Sequence, residues 1–250
     1  MTRQAGIIPL RGTIDNIIFY YSKTGGYIAR RKGNVDAQRI ASDPAFRRTR
    51  ENSTEFGRAS KAGRLVRMCF RSLMQNASDS IAAGRLVQVF SKVIKTDVIN
   101  ERGQRNVTDG ELELLTGFEF NADSKLERML LASYSTDIDR AGGTMTLHVP
   151  AFIPKEMIAA PAGATHFVIS CGGAEIDFEA GNYVNGFAWS NELPINSEAT
   201  SALHLTVSVT AGSIKPLFMV MGIRFIQLVN GVSYDLKDGV CNALAVAGVS

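Results

Sequence analysis

At 250 residues, with 45% apolar and 20% charged side chains, the chain is long enough to bury one large or two modest cores and too apolar for a disordered tail. Its net charge of +3 conceals a division: residues 1–105 carry 20 Lys and Arg against 8 Asp and Glu, a net of +12, whereas residues 106–250 carry 7 against 16, a net of −9. The first eleven residues hold no apolar run of the length a secretory signal needs, and the most apolar stretch, 217–229, contains Arg224 and Gln227, so a soluble protein without a membrane span is expected, in the cytoplasm or within an assembled particle.

In chain order, residues 12–21 and 27–32 are rich in β-branched and aromatic side chains and flank the turn Ser22-Lys23-Thr24-Gly25-Gly26, which predicts a β-hairpin. A lone hairpin is marginal in water, so Ile17, Phe19, Tyr21 and Tyr27 are candidate contacts to a partner surface. Asp43-Pro44 is a helix start, and the spacing of Phe56, Ala59, Val66, Cys69, Phe70 and Leu73 predicts a helix to about residue 76. Away from that apolar face, Arg47, Arg50, Arg58, Lys61, Arg64, Arg67 and Arg71 recur at steps of three and four or their multiples and form a basic stripe. Gly57 and Gly63 weaken this helix, allow a close neighbour or mark a bend. A second amphipathic helix is expected over residues 80–95, with Ile81, Leu86, Val89, Phe90, Val93 and Ile94 buried, giving a helical hairpin.

Residues 100–106 have linker composition where the charge changes sign, and 110–116 are weakly helical. Strands are expected at 129–136, 144–149, 165–171, 175–179, 203–210, 217–229, 231–236 and 240–246. The turns fall at Gly142-Gly143, Gly172-Gly173, Asn230-Gly231 and Asp238-Gly239. The fold class is therefore α+β: an N-terminal β-hairpin and basic helical hairpin over residues 1–105, a connector over 106–125, and an acidic antiparallel β-sandwich over 126–250 with Phe167 and Trp189 as core anchors. The sandwich is expected to fold alone and the N-terminal half to need a partner.

No nucleophile elbow, Walker loop or dinucleotide fingerprint occurs, and the chemistry of the chain predicts no enzyme and no cofactor. His148, His166 and His204 each lie in an expected strand without a second ligand at metal-binding spacing. Cys69, Cys171 and Cys241 are odd in number and set in apolar patterns, as buried free thiols are. Glu175, Asp177 and Glu179 place three carboxylates on one face of a strand. The arginine-rich stripe suits phosphate or carboxylate.

The stretch from Gly12-Thr13-Ile14 to Phe19-Tyr20, with Gly26-Tyr27-Ile28-Ala29-Arg30, Asp43-Pro44-Ala45-Phe46-Arg47-Arg48-Thr49-Arg50-Glu51-Asn52 and Glu55-Phe56-Gly57, resembles a set of uncharacterised bacterial proteins, mainly from Bacteroidetes. Arg102-Gly103-Gln104-Arg105-Asn106-Val107, Gly117-Phe118-Glu119-Phe120-Asn121 and Glu175-Ile176-Asp177-Phe178 are similar to the same proteins. The resemblance implies that hairpin, basic helices and β-domain travel together, and it implies no activity. Complementary poles and an exposed hairpin point to a self-associating structural subunit of a bacterial or phage-like particle, tube or filament, forming a homo-oligomer or polymer. The alternative is nucleic-acid binding through the stripe.

Overall fold

The computed structural model describes residues 2–6, 8–33, 36–236 and 241–250, which divide into two compact units, Met1–Glu51 and Asn52–Ser250. The expected division at residue 105 differs from this one, because Val66, Phe70, Leu86 and Phe90, before that point, share a core with Phe218, Val220, Leu244 and Val246 beyond it.

The first unit opens on a four-stranded antiparallel sheet of β1 (Thr2–Arg3), β2 (Gly12–Ile14), β3 (Ile17–Ser22) and β4 (Gly26–Arg31), in the order β1-β4-β3-β2. The expected hairpin is its centre, with Phe19 opposite Ala29 and Tyr21 opposite Tyr27. The first expected strand is itself folded in two, because Asp15, at φ +49°, turns the chain and sets Gly12 opposite Phe19. Asp tolerates that left-handed conformation better than the β-branched residues around it. Next come α1 (Ala37–Ser42), with Asp36 accepting from the Arg39 N–H, and a 3-10 turn over Pro44–Phe46 capped by Asp43.

The long basic helix α2 (Arg47–Cys69) ends earlier than its periodicity suggests, because Phe70 leaves helical geometry, and a short α3 (Arg71–Met74) follows. Helix α4 (Ala82–Thr96) buries Leu86, Phe90, Val93 and Ile94 as expected. Phe56 and Ile81, both expected to be buried, are 62% and 61% exposed. The expected linker is instead a tight loop bound to α2. Asp97 accepts the N–H groups of Ile99, Asn100 and Asn106, Arg58 donates to the carbonyls of Gly103 (3.2 Å) and Arg105 (2.6 Å), and Glu55 accepts the Gly103 N–H.

Beyond it lie a 3-10 turn (Leu112–Leu115), α5 (Leu126–Met129) and α6 (Pro154–Met157), the last two within stretches not expected to be helical. Residues 129–136 are not one strand: Met129 closes α5, whose Leu126 N–H is held by the Glu119 carboxylate, Leu130 forms only an isolated bridge with Ile158, and the next strand begins at Ser135. The strands are β5 (Ser135–Asp139), β6 (Thr144–Val149), β7 (His166–Asp177), β8 (Asn182–Trp189), β9 (Leu193–Pro194), β10 (Leu203–Ser208), β11 (Leu217–Val229), β12 (Val232–Asp235) and β13 (Ala243–Val249). The expected turn Asp238-Gly239 and the expected strand start at Val240 lie outside the described residues.

These strands form two antiparallel sheets, one in the order β10-β6-β5 and a six-stranded one built on β12-β11-β7-β8, with β13 beside β11 and β9 beside β7. One face of the larger sheet packs on the smaller: Ile169, Cys171, Met219, Met221 and Ala245 meet Met145, Leu147, Leu205 and Val207. Its other face, with Ala174, Ile176, Phe218, Val220, Leu244 and Val246, meets Val66, Phe70, Leu86 and Phe90 of the helical region. The antiparallel sandwich is thus backed by a helical third layer, and α2 and α4 belong to the same core as the strands. The 106–125 segment joins that core too, since Gly117 and Phe120 donate to Val246 and Leu244 and bury Phe118 and Phe120.

Gly172 and Gly173, read as a turn, lie inside the continuous strand β7. A side chain on Gly172 would meet Leu73 and Val220 at 2.9 Å on the helical side, and one on Gly173 would meet Met145 at 2.9 Å on the other. The glycines therefore admit a layer on each face. Strand β8 was absent from the expected set because its Asn and Gly residues read as turn chemistry. Phe167 is fully buried, but Trp189 is 50% exposed and anchors no core.

Candidate functional site

The eight cations of α2 and its extension, the seven of the expected stripe and Arg48, fall into two groups. Arg47 and Arg48 both bind the Glu51 carboxylate at 2.9 Å. Burial pushes that carboxyl up, and the two guanidiniums outweigh it and hold it below the ordinary range. Arg50 donates to the carbonyls of Ile40 (2.7 Å) and Asp43 (2.9 Å), and Arg58 holds the 103–105 loop. These four arginines are structural: each donates to a carboxylate or to backbone carbonyls of the chain itself.

Lys61, Arg64, Arg67 and Arg71 have no hydrogen-bond or ion-pair partner among the described residues. Arg64, Arg67 and Arg71 line one open cleft of about 520 Å³ together with Met68, Gln75 and Ser78. The Arg67 Nε is buried and without a partner. Like charges three and four residues apart repel by about 0.2–0.5 kcal/mol per pair. An anion in the cleft reverses that sign, and arginine forks match carboxylate and phosphate oxygens. Lys61 lines a neighbouring cleft with Arg58, Phe178 and Glu179, so acidic and basic groups share this surface.

The acidic trio is engaged as well. Asp177 ends β7 by accepting the N–H groups of Glu179 and Ala180, and it pairs with Lys215 at 2.7 Å, a contact that lowers the Asp177 carboxyl and raises the Lys215 ammonium. Glu175 accepts the Thr210 N–H. Glu179 is exposed and lies beyond the strand, so the three carboxylates do not form one free face.

On the N-terminal sheet, strand alternation puts Ile17, Phe19, Tyr21 and, by pairing, Tyr27 on one face. The Tyr21 and Tyr27 rings meet edge to face at 5.1 Å, and the Arg11 guanidinium lies 5.7 and 5.5 Å from their centroids. The opposite face carries Ile18, Tyr20 and Ile28, with Arg30 over Tyr20. None of the described residues of this sheet is buried.

His148 and His204 stand opposite one another across β6 and β10, with their Nδ1 atoms 2.7 Å apart. Sequence reasoning took them as isolated, since 56 residues separate them and only the register joins them. The available signal was that each occupies the polar phase of an alternating strand. His166 contacts the neighbouring Thr165 hydroxyl instead. No group of three or more His, Cys, Asp or Glu is placed to hold a metal ion among the described residues. All three cysteines are buried, and burial pushes the Cys69 and Cys171 thiols up to about 12. No helix among the described residues is long and apolar enough to cross a membrane. No family model, curated protein or solved structure matches the chain.

Proposed function

We propose that the protein is a non-enzymatic structural subunit that associates with further copies of itself through its N-terminal sheet, in a particle, tube or filament. Kinship with the uncharacterised bacterial proteins it resembles is part of that proposal. The observation that carries it is a four-stranded sheet with apolar and aromatic side chains on both faces and no buried residue. A single-layer sheet needs a second layer to bury its side chains, and none of the described residues of this sheet is buried. Charge supports the same reading. Residues 1–51 carry ten Lys and Arg against four Asp and Glu, a net of +6, and residues 52–250 carry 17 against 20, a net of −3. A basic unit on each copy favours the acidic unit of the next, a contact that closes as a ring or propagates.

Sedimentation velocity across a salt and concentration series tests this. The unaltered protein is expected to form oligomers at low salt, and Phe19→Lys with Tyr21→Lys to leave monomers with unchanged circular dichroism. Strict monomers at low salt and high concentration would remove the proposal. Dispersal by salt would assign the contact to the charges, which are screened beyond about 8 Å at physiological ionic strength. Oligomers that persist in salt would assign it to the apolar sheet face.

A second reading, nucleic-acid binding, is favoured by one observation, the unpartnered Arg64, Arg67 and Arg71 on one cleft. Fluorescence anisotropy with labelled DNA or RNA at low salt distinguishes it. Binding lost in the triple Arg→Glu variant would support this reading, and its absence in the unaltered protein would end it.

A further inference from the structure

We propose that His148 and His204 form a two-imidazole site for a borderline divalent transition metal ion, with Zn²⁺, Ni²⁺ and Cu²⁺ as the class of ligand. The pair is built by the sheet. Residue 148 of β6 is directly opposite residue 204 of β10, and the flanking pairs Leu147–Leu205 and Val149–Leu203 turn the other way into the core between the sheets. Buried neighbours therefore fix both backbones, and the alternation leaves the two imidazoles side by side on the outer face.

The geometry brings two nitrogen lone-pair positions to one point. The Nδ1 atoms are 2.7 Å apart, with ring centroids at 4.9 Å and ring planes inclined at 76°. In the neutral pair one Nδ1–H donates to the other Nδ1. A metal ion replaces that shared proton: the donor ring moves its hydrogen from Nδ1 to Nε2, both Nδ1 atoms coordinate, and the pair keeps its proton count. Metal–nitrogen bonds of about 2.0–2.1 Å at a tetrahedral angle place two ligating nitrogens about 3.3 Å apart, so the rings open by about 0.6 Å from their 2.7 Å separation.

The surroundings suit a hydrated ion. The same face carries the Thr146 and Thr206 hydroxyls, 3.0 Å from each other, and β5 sets Ser135 opposite His148 and Asp137 opposite Thr146. Water completes the coordination, and imidazole selects Zn²⁺, Ni²⁺ or Cu²⁺ over Mg²⁺ and Ca²⁺. This inference is independent of the self-association reading, since it uses no residue of the N-terminal unit.

The test is titration of the full-length protein, made without a polyhistidine tag, with ZnCl₂ or NiCl₂, followed by calorimetry and by the imidazole resonances in NMR. The expected result is one ion per chain, with His148 and His204 signals shifting together and those of His166 unmoved. Loss of an outer-shell partner alone weakens metal sites by about 10–100-fold, so His148→Ala and His204→Ala are each expected to weaken binding at least about tenfold. His166→Ala is expected to leave it unchanged. Both variants lie on the exposed face, and their melting in the absence of metal checks that they fold. No saturable binding by the unaltered protein, or binding that both variants retain in full, would overturn the site.

Discussion

Asp97 shows how one side chain converts a polar stretch into ordered structure. It is 2% exposed, and it accepts three backbone N–H groups and the Asn100 amide. Burial pushes its carboxyl up, but these donors prevail and lower it from 3.8 to about 2. Because the folded value is the depressed one, the unfolded chain binds the proton first, and the stabilisation is present above about pH 4 and lost as pH falls toward 2. Asp97→Asn is expected to cost about 1–3 kcal/mol at neutral pH, in keeping with the loss of hydrogen bonds to a charged group. Urea denaturation of both proteins at pH 7 and pH 3 checks it, since the difference between them narrows at the lower pH. The composition of residues 100–106 marks a loop correctly, but it cannot reveal that a carboxylate and Arg58 gather the backbone from both sides.

At the scale of elements, glycine divides by its surroundings. Gly57 on α2 has open space, and a side chain on Gly63 would sit in ordinary contact with Val87 at 3.5 Å. Gly57→Ala and Gly63→Ala are therefore expected to stabilise the protein by up to about 1 kcal/mol each. Gly173→Ala, which would overlap Val207 and Met145, is expected to destabilise it by about 1–3 kcal/mol. Thermal melts of the three variants rank them. This division also marks what the sequence makes legible. The boundaries of β6 and β11 follow from alternation and apolar run length alone, because β6 buries one face along its length and β11 buries both faces over 217–226 apart from the half-buried Arg224. In β7 the same glycines that signal a turn admit packing on both faces, and local pattern does not separate the two uses. The hairpin face was legible from its alternation, as was the basic helix. Which arginines find carbonyl acceptors was not, since those carbonyls lie up to 47 residues away.

For the whole molecule, the charge break near residue 105 does not coincide with a break in packing. The helices on the basic side of that point cover one face of the six-stranded sheet, so a fragment of residues 126–250 exposes Phe218, Val220, Leu244 and Val246. That fragment is expected to aggregate or bind a hydrophobic dye, contrary to the independence its strand pattern suggests, whereas residues 52–250 are expected to fold with the far-UV spectrum of an α+β protein. Circular dichroism and dye binding of the two fragments test this. A soluble, cooperatively melting 126–250 fragment would show that the helical layer is dispensable. Sequence separates charge along the chain, and only the register of side chains on β7, β11 and β13 shows that the central sheet has two dry faces.

The buried thiols acquire a use from that arrangement. Cys69 belongs to the core on the helical side of the central sheet and Cys171 to the core on the other. Each sulfur is expected to react only when its layer opens, because both are buried and a thiol pushed up to about 12 carries almost no thiolate at neutral pH. Each layer thus holds one thiol that would be uncovered if that layer opened. The rate at which a thiol reagent reaches one sulfur ahead of the other reports which side of the sheet breathes first.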